Sequence, residues 1–372
     1  MITGNKGEWS ELYVFLRLLG DGGIYGADED LNKIRDLFYP LIEIHRDNNI
    51  YKNVDDKQII RVIDGRTSSI IIELDVKEFN DKANTLLRRI KNEKSTFNVE
   101  EIERFMERIK TYTLKASSTD KSDITVILHD ALTAQNRLFK FSIKSQLGSS
   151  STLLNAGRTT NFIYQINGML DDAEINKINE ISTQSKVKDR IIKLYQNNKS
   201  LTFIETESDV FYYNLQIIDS KLPEILSYML VYYYQGRASS ISELTDILTR
   251  ENPCCFSIRQ NVNFYKYKIK RLLREIALGM MPSKQWNGEL DATGGYIIVK
   301  ESGDIVCYHI YNINQFEDYL FNNTKLETAS SSRHDFGTIY KQGGKNLVKL
   351  NIQIRFKEYF CESSILYDII KL

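Results

Sequence analysis

From Glu8 to Leu19 the apolar residues Trp9, Leu12, Tyr13, Leu16 and Leu19 recur at three- and four-residue steps. That spacing predicts a helix with one buried stripe, ended by Gly20-Asp21-Gly22-Gly23. Residues 58–63 and 68–76 predict two strands around Asp64-Gly65-Arg66, and 81–94 and 98–110 predict amphipathic helices. A polar loop, Lys115 to Ser122, leads into a predicted strand from Asp123 to His129. A turn at Ala134-Gln135-Asn136 returns the chain through a second strand, Leu138 to Lys144, and a hydroxyl-rich loop follows from Ser145 to Thr152. Residues 185–198 and 221–250 predict helices, and from 286 onward strands dominate, at 295–300, 304–311 and 347–355. No internal repeat or flexible linker is visible; the best-placed boundary, at 200–220, divides 1–205 from 206–372. The expected fold class is α/β (α+β), a mixed central sheet flanked by helices with an α+β C-terminal region.

Composition narrows the class. Of 372 residues, 42% are hydrophobic and 26% charged, the profile of a globular protein long enough for one large or two ordinary domains. No run of eighteen apolar residues and no N-terminal apolar h-region is present, and the four cysteines form no C-x-x-C pair, so a cytoplasmic protein without disulfides is expected. Zinc is not expected, because no histidine sits at ligand spacing with a cysteine. With 49 basic and 49 acidic residues, net charge favours no polyanionic partner, and a nucleic-acid binder must gather its cations on one face. The acid-free stretch from Arg259 to Arg274, with Lys266, Lys268, Lys270 and Arg271, is a candidate for that face; its alternative is a solvated helix surface.

One constellation carries chemistry. Asp123 opens a strand and Ser142-Ile143-Lys144 closes its antiparallel return, so the start of one lies beside the end of the other. Residues 142 and 144 share a face, which places Asp123, Ser142 and Lys144 around one point. A carboxylate there can hold Mg²⁺ on a scissile phosphate, and an adjacent lysine can orient the attacking water and stabilise its hydroxide. The pattern resembles the PD-(D/E)XK nuclease motif, with Ser122 in place of the proline and Ser142 in place of the second acid. The first helix offers the missing carboxylate from Glu8 or Glu11, three apart on one face, with Glu8 favoured beside the anchoring Trp9. Two other sets compete on spacing alone: Asp64, Asp75 and Lys77, and Asp291 with Lys300.

Longer stretches separate these. GNKGEWSE (4–11), LKASSTDKSDI (114–124), FSIKSQLGSSSTLLNAGRTTNFIY (141–164), GGYIIVK (294–300) and RHDFG (333–337) resemble the HpaII-type restriction endonucleases over nearly the whole chain. The resemblance implies Mg²⁺-dependent cleavage of double-stranded DNA within the palindrome CCGG. Such a palindrome presents identical half-sites, so a homodimer is the simplest way to cut both strands, with a monomer that nicks one strand and rebinds as the alternative. A cognate DNA methyltransferase is expected to protect host DNA without needing to bind this chain. The resemblance favours the Asp123/Lys144 set, because the resembling blocks bracket that set and skip Asp64. Gln146, two beyond Lys144, becomes a candidate for holding water or phosphate.

Guanine O6 and N7 suit arginine, and cytosine N4 suits an acceptor. Arg158, Thr159, Thr160 and Asn161, after the active-site loop, and Arg333 and His334 are therefore candidates for DNA contact. His309, inside an apolar strand, is expected as a satisfied structural histidine, and Tyr232-Tyr233-Tyr234 in the core or on a helix surface rather than as a base-stacking platform. Two rival functions are a DNA-binding protein without cleavage, given Ser142, and a small-molecule enzyme. A cleavage assay with and without Mg²⁺ separates the first, and the absence of GxGxxG, Walker and G-x-S-x-G motifs counts against the second.

Overall fold

The computed structural model describes residues 2–54, 58–115, 122–130, 134–257, 262–309 and 312–358. Contacts group the chain into two compact units of interleaved segments: 1–151 and 290–316 in the first, 152–289 and 317–357 in the second. These units are not the halves 1–205 and 206–372, because strands from beyond residue 290 enter the sheet that carries the Asp123 hairpin.

The strands in chain order begin with β1 (Gly23–Ala27), β2 (Lys33–Arg46), β3 (Asn49–Val54), β4 (Ile59–Asp64), β5 (Ile70–Asp75), β6 (Ile124–Asp130), β7 (Gln135–Ser145) and β8 (Thr152–Leu154). They continue with β9 (Asn161–Asn167), β10 (Ser200–Thr206), β11 (Gly295–Val299), β12 (Ile305–His309), β13 (Thr324–Leu326), β14 (Ile339–Gln342), β15 (Lys345–Asn351) and β16 (Ile354–Phe356). The helices used below are α1 (Lys6–Asp21), α2 (Val76–Asn92), α3 (Glu100–Arg108), α4 (Asp172–Asn179), α5 (Lys186–Gln196), α6 (Asp209–Ile218), α7 (Leu222–Tyr234), α8 (Ile241–Glu251) and α9 (Phe264–Leu278). None of the described helices is long and apolar enough to cross a membrane.

The first unit is built on a nine-stranded mixed sheet in the order β1-β12-β11-β7-β6-β2-β3-β4-β5, closed by a further pairing of β1 with β2. Closure follows from the length of β2: its first half pairs with β1 and its second with β6 and β3. Helix α1 occupies the core. Asn5 and Glu8 form a reciprocal capping box at its start, and Gly22, in the left-handed region at φ 69°, closes its end by donating to Leu18 O. The expected stripe is buried, but so are Val14, Phe15 and Leu18, so apolar contacts surround the helix rather than one face of it. Trp9 anchors the entry, stacking on Phe97 and donating from Nε1 to Phe97 O at 3.0 Å.

The second unit holds the antiparallel sheet β10-β9-β15-β14, a small sheet β13-β16-β8, and helices α4 to α9. The helix expected over 221–250 is two, α7 and α8, broken where Gly236 adopts φ 76°. The strand expected over 347–355 is likewise divided between β15 and β16, which belong to different sheets. Tyr232, Tyr233 and Tyr234 are buried on α7, in the core rather than on the helix surface. In the first unit His309 is fully buried, with its ring against Tyr39, Phe139 and Phe141.

Candidate active site

The β6–β7 hairpin brings the expected residues together. Ile124 pairs with Phe141, and Asp123 N donates to Phe141 O at 2.8 Å, so Asp123 stands opposite Ser142. Ser142 Oγ and the Ile143 amide both donate to Asp123 Oδ2, at 3.0 and 2.6 Å, which fixes the carboxylate in one orientation. On the other side of β7, β11 runs parallel and sets Tyr296 beside Ser142. The Tyr296 ring lies 5.3 Å from Lys144 Nζ, a contact that no motif marked. Burial pushes the Lys144 ammonium below the usual lysine range, against the opposing pull of Asp123 and Glu11.

The two glutamates of α1 part company here. Glu8 accepts from Asn5 N at 3.0 Å through Oε2 and from Lys115 Nζ at 2.9 Å through Oε1, so both its oxygens serve the helix start. Glu11 lines a polar cleft of about 920 Å³ together with Lys144. Its charge acts on Lys144, Lys115 and Arg46. The cleft also draws on residues 91–96, which carry no recognisable motif. Gln146 is held by its backbone amide to Val299 O at 2.9 Å and by Oε1 accepting from Glu301 N at 3.3 Å. Its Nε2 is buried and has no hydrogen-bond partner among the described residues, so its two N–H donors remain for an incoming group.

Among the described residues, no three His, Cys, Asp or Glu side chains converge as a ready-made metal cage. The donor set nevertheless fits Mg²⁺. That ion takes hard oxygen ligands and is usually held by one or two carboxylates, with waters and substrate phosphates completing the shell. Asp123 and Glu11, whose charges both act on Lys144, are carboxylates that could serve in this way.

The competing aspartates have local duties. Asp64 Oδ1 accepts from the amides of Arg66 and Thr67 in the β4–β5 turn, and Asp75 caps α2 by accepting from Lys77 N at 2.7 Å. Lys300 Nζ donates to Leu31 O at 2.9 Å.

The residues expected to touch DNA fall into two groups, all in the second unit. Thr160 and Asn161 are fully buried, and the expected DNA contact gives way to an internal role. Asn161 Nδ2 donates to Glu207 Oε2 at 2.7 Å and to His334 O at 2.9 Å, while Asn351 Nδ2 donates to Gly157 O at 2.8 Å. Lys349 bonds both Glu207 and Asp335. These bonds tie the 157–161 turn to the 333–337 loop, and Arg158 and Arg333 remain exposed. Thr159 and His334 are partly exposed.

The basic helix α9 departs from its expected face. Lys268 is bonded to Asp219, Lys270 to Asp318 at 3.0 Å, and Arg274 to Glu317 at 2.8 Å. Arg271 is half-buried, Lys266 is exposed with its Nζ 5.3 Å from the Phe321 ring, and Arg259 lies outside the described residues. Most of this charge is therefore matched inside the unit.

Comparison with known proteins adds the family. The sequence model for "HpaII restriction endonuclease" matches residues 5–356. The chain is 42% identical over 363 residues to a type II restriction enzyme HpaII of Haemophilus parainfluenzae, covering 95% of this chain and 98% of the relative. No solved structure matches.

Proposed function

Because the chain belongs to the HpaII restriction endonuclease family, we propose that it cuts double-stranded DNA within CCGG by Mg²⁺-dependent phosphodiester hydrolysis at the Asp123–Lys144 site. The chain is a type II restriction enzyme, a nuclease that cleaves DNA at a specific sequence. The observation that carries the catalytic assignment is the convergence of Asp123, Ser142 and Lys144 on adjacent strands, with Glu11 acting on the same lysine. The core is accordingly read as PD-(D/E)XK-like.

Asp123 and Glu11 are the residues that would hold Mg²⁺; Glu11 is preferred to Glu8 because both Glu8 oxygens are engaged at the helix start. When bound, the ion supplies Lewis-acid stabilisation of the charge that builds on the scissile phosphate. Ser142 and the Ile143 amide keep the Asp123 carboxylate from rotating. Lys144 Nζ, desolvated against Tyr296, holds the attacking water and stabilises the hydroxide it becomes. Gln146 Nε2 donates to that water or to a phosphate oxygen.

The first unit carries catalysis. The second contributes DNA contacts through Arg158, Thr159, Arg333 and His334, with Lys266 the exposed cation of α9. A palindromic target presents identical half-sites, so a homodimer is the simplest assembly for cutting both strands. Its setting is the cytoplasm, with host DNA protected by a cognate methyltransferase. Digestion of a plasmid of known sequence with Mg²⁺ or EDTA, followed by end sequencing, tests the reading. Ends confined to CCGG and dependent on Mg²⁺ are expected. Ends at another tetranucleotide would remove the target, and binding without cutting would favour the non-cleaving alternative.

A further inference from the structure

The cleft that contains Glu11 and Lys144 has a second side whose residues the catalytic assignment does not use. Lys6, at the first turn of α1, and Lys91 and Lys94, at and beyond the end of α2, line it together with Ser149 and Ser151 from the hydroxyl-rich loop after β7. Resting on the function proposed above, we infer that this side is a phosphate track: it binds the sugar–phosphate backbone of the strand being cut, next to the scissile bond.

Charge is the first argument. Four lysines (Lys6, Lys91, Lys94 and Lys144) and two carboxylates (Glu11 and Glu93) line the cleft. Glu93 is paired with Arg89 at 2.9 Å, and the lysines of the lining outnumber its acids, although the whole chain is neutral. The polyanion that a neutral chain must attract thus meets local positive charge where cutting occurs.

Orientation is the second argument. Lys91 Nζ donates to Ser302 O at 3.1 Å, and Lys6 Nζ lies 3.5 Å from Lys91 O. A carbonyl partner orients an ammonium without neutralising it, unlike the carboxylates that hold Lys268 and Lys270 on α9. Lys94 is exposed. Position is the third: a strand placed with its phosphate at Glu11 and Lys144 must continue through the same cleft, where lysine ammoniums and serine hydroxyls suit phosphate oxygens. Such contacts carry no sequence information; they set affinity and register.

The test uses the full chain, a CCGG duplex, and Ca²⁺ in place of Mg²⁺ to hold back cutting. Lys6→Ala, Lys94→Ala and the double variant are compared with Lys82→Ala. Lys82 lies nine residues before Lys91 on α2, half a turn round the helix from the cleft, and is paired with Glu101. Each lost phosphate contact should reduce the slope of log affinity against log salt by about 0.9. The loss should be equal on CCGG and unrelated duplexes. Kd should rise while single-turnover kcat at saturating enzyme stays within about twofold, the signature of uniform binding. Lys94→Arg should restore the slope. If a double variant with wild-type thermal stability keeps the wild-type slope and Kd, or matches Lys82→Ala, the phosphate track is wrong while the nuclease assignment stands. A wild-type protein that does not cut CCGG DNA would instead remove the function on which it rests.

Discussion

Replacing Glu8 separates a structural from a metal-binding role on α1. Glu8→Ala removes the acceptor for Asn5 N and the partner of Lys115, whose side chains in that ion pair are 56% (Lys115) and 27% (Glu8) exposed. Loss of a helix cap costs about 1 kcal/mol, and the solvent-screened pair with Lys115 adds little to it. About 1 kcal/mol lowers the melting temperature of a domain of 150–250 residues by about 2–4 °C. Glu8→Gln, which a capping box accepts, should remain near wild type in both stability and cleavage. The Asn5 amide, helped by Lys115, holds the Glu8 carboxyl below its ordinary value of 4.5. A carboxyl depressed in the folded state stabilises the fold above its unfolded pKa and loses that contribution as pH falls through the folded one. The melting gap between wild type and Glu8→Ala should therefore be full at neutral pH and close as the medium becomes more acid than 4.5. Melting curves and cleavage rates on the same preparations decide the matter. Unchanged stability with abolished cleavage in both variants would refute the capping account and return Glu8 to the metal.

Three further outcomes follow from other contacts. Glu11→Gln should abolish cleavage, read as single-turnover loss of a CCGG duplex, with melting near wild type; retained cleavage would exclude Glu11 as a metal-holding residue. Asn351→Leu leaves the buried Asn161 Oδ1 without its Asn351 donor, while Gly157 and Thr160 still bond each other, and should cost about 1–3 kcal/mol by denaturant unfolding. Gly295 adopts φ 105°, and an added Cβ would lie 2.0 Å from Tyr308 O. Gly295→Ala should therefore disrupt the β11–β12 pairing and destabilise by more than about 1 kcal/mol, again read by unfolding.

The β6–β7 hairpin was legible because strand alternation and antiparallel pairing alone place residues 123, 142 and 144 together. The long strand β2 was not: its charged and apolar residues follow no single alternation, since its halves pair with different neighbours. The choice between Glu8 and Glu11 was equally hidden, because one shared helix face does not say which carboxylate a lysine elsewhere in the chain engages. Asn161 looked like a polar loop residue, yet its partners Glu207 and His334 come from distant segments that only the tertiary fold unites. On α9 a run of cations read as a surface patch, because the carboxylates that match it, Asp219, Glu317 and Asp318, lie far away in sequence.

Asp123→Asn tests the central claim most directly. The amide oxygen can still accept from Ser142 and Ile143, so the hairpin should survive while the metal-holding charge is lost. Single-turnover cleavage of a CCGG duplex in Mg²⁺ should fall by about a hundredfold or more, the scale on which losing one charge-stabilising group acts. Melting temperature and binding in Ca²⁺ should stay close to wild type. Cleavage retained at more than a few per cent of the wild-type rate would contradict the account and move the search to Asp64, Asp75 and Lys77.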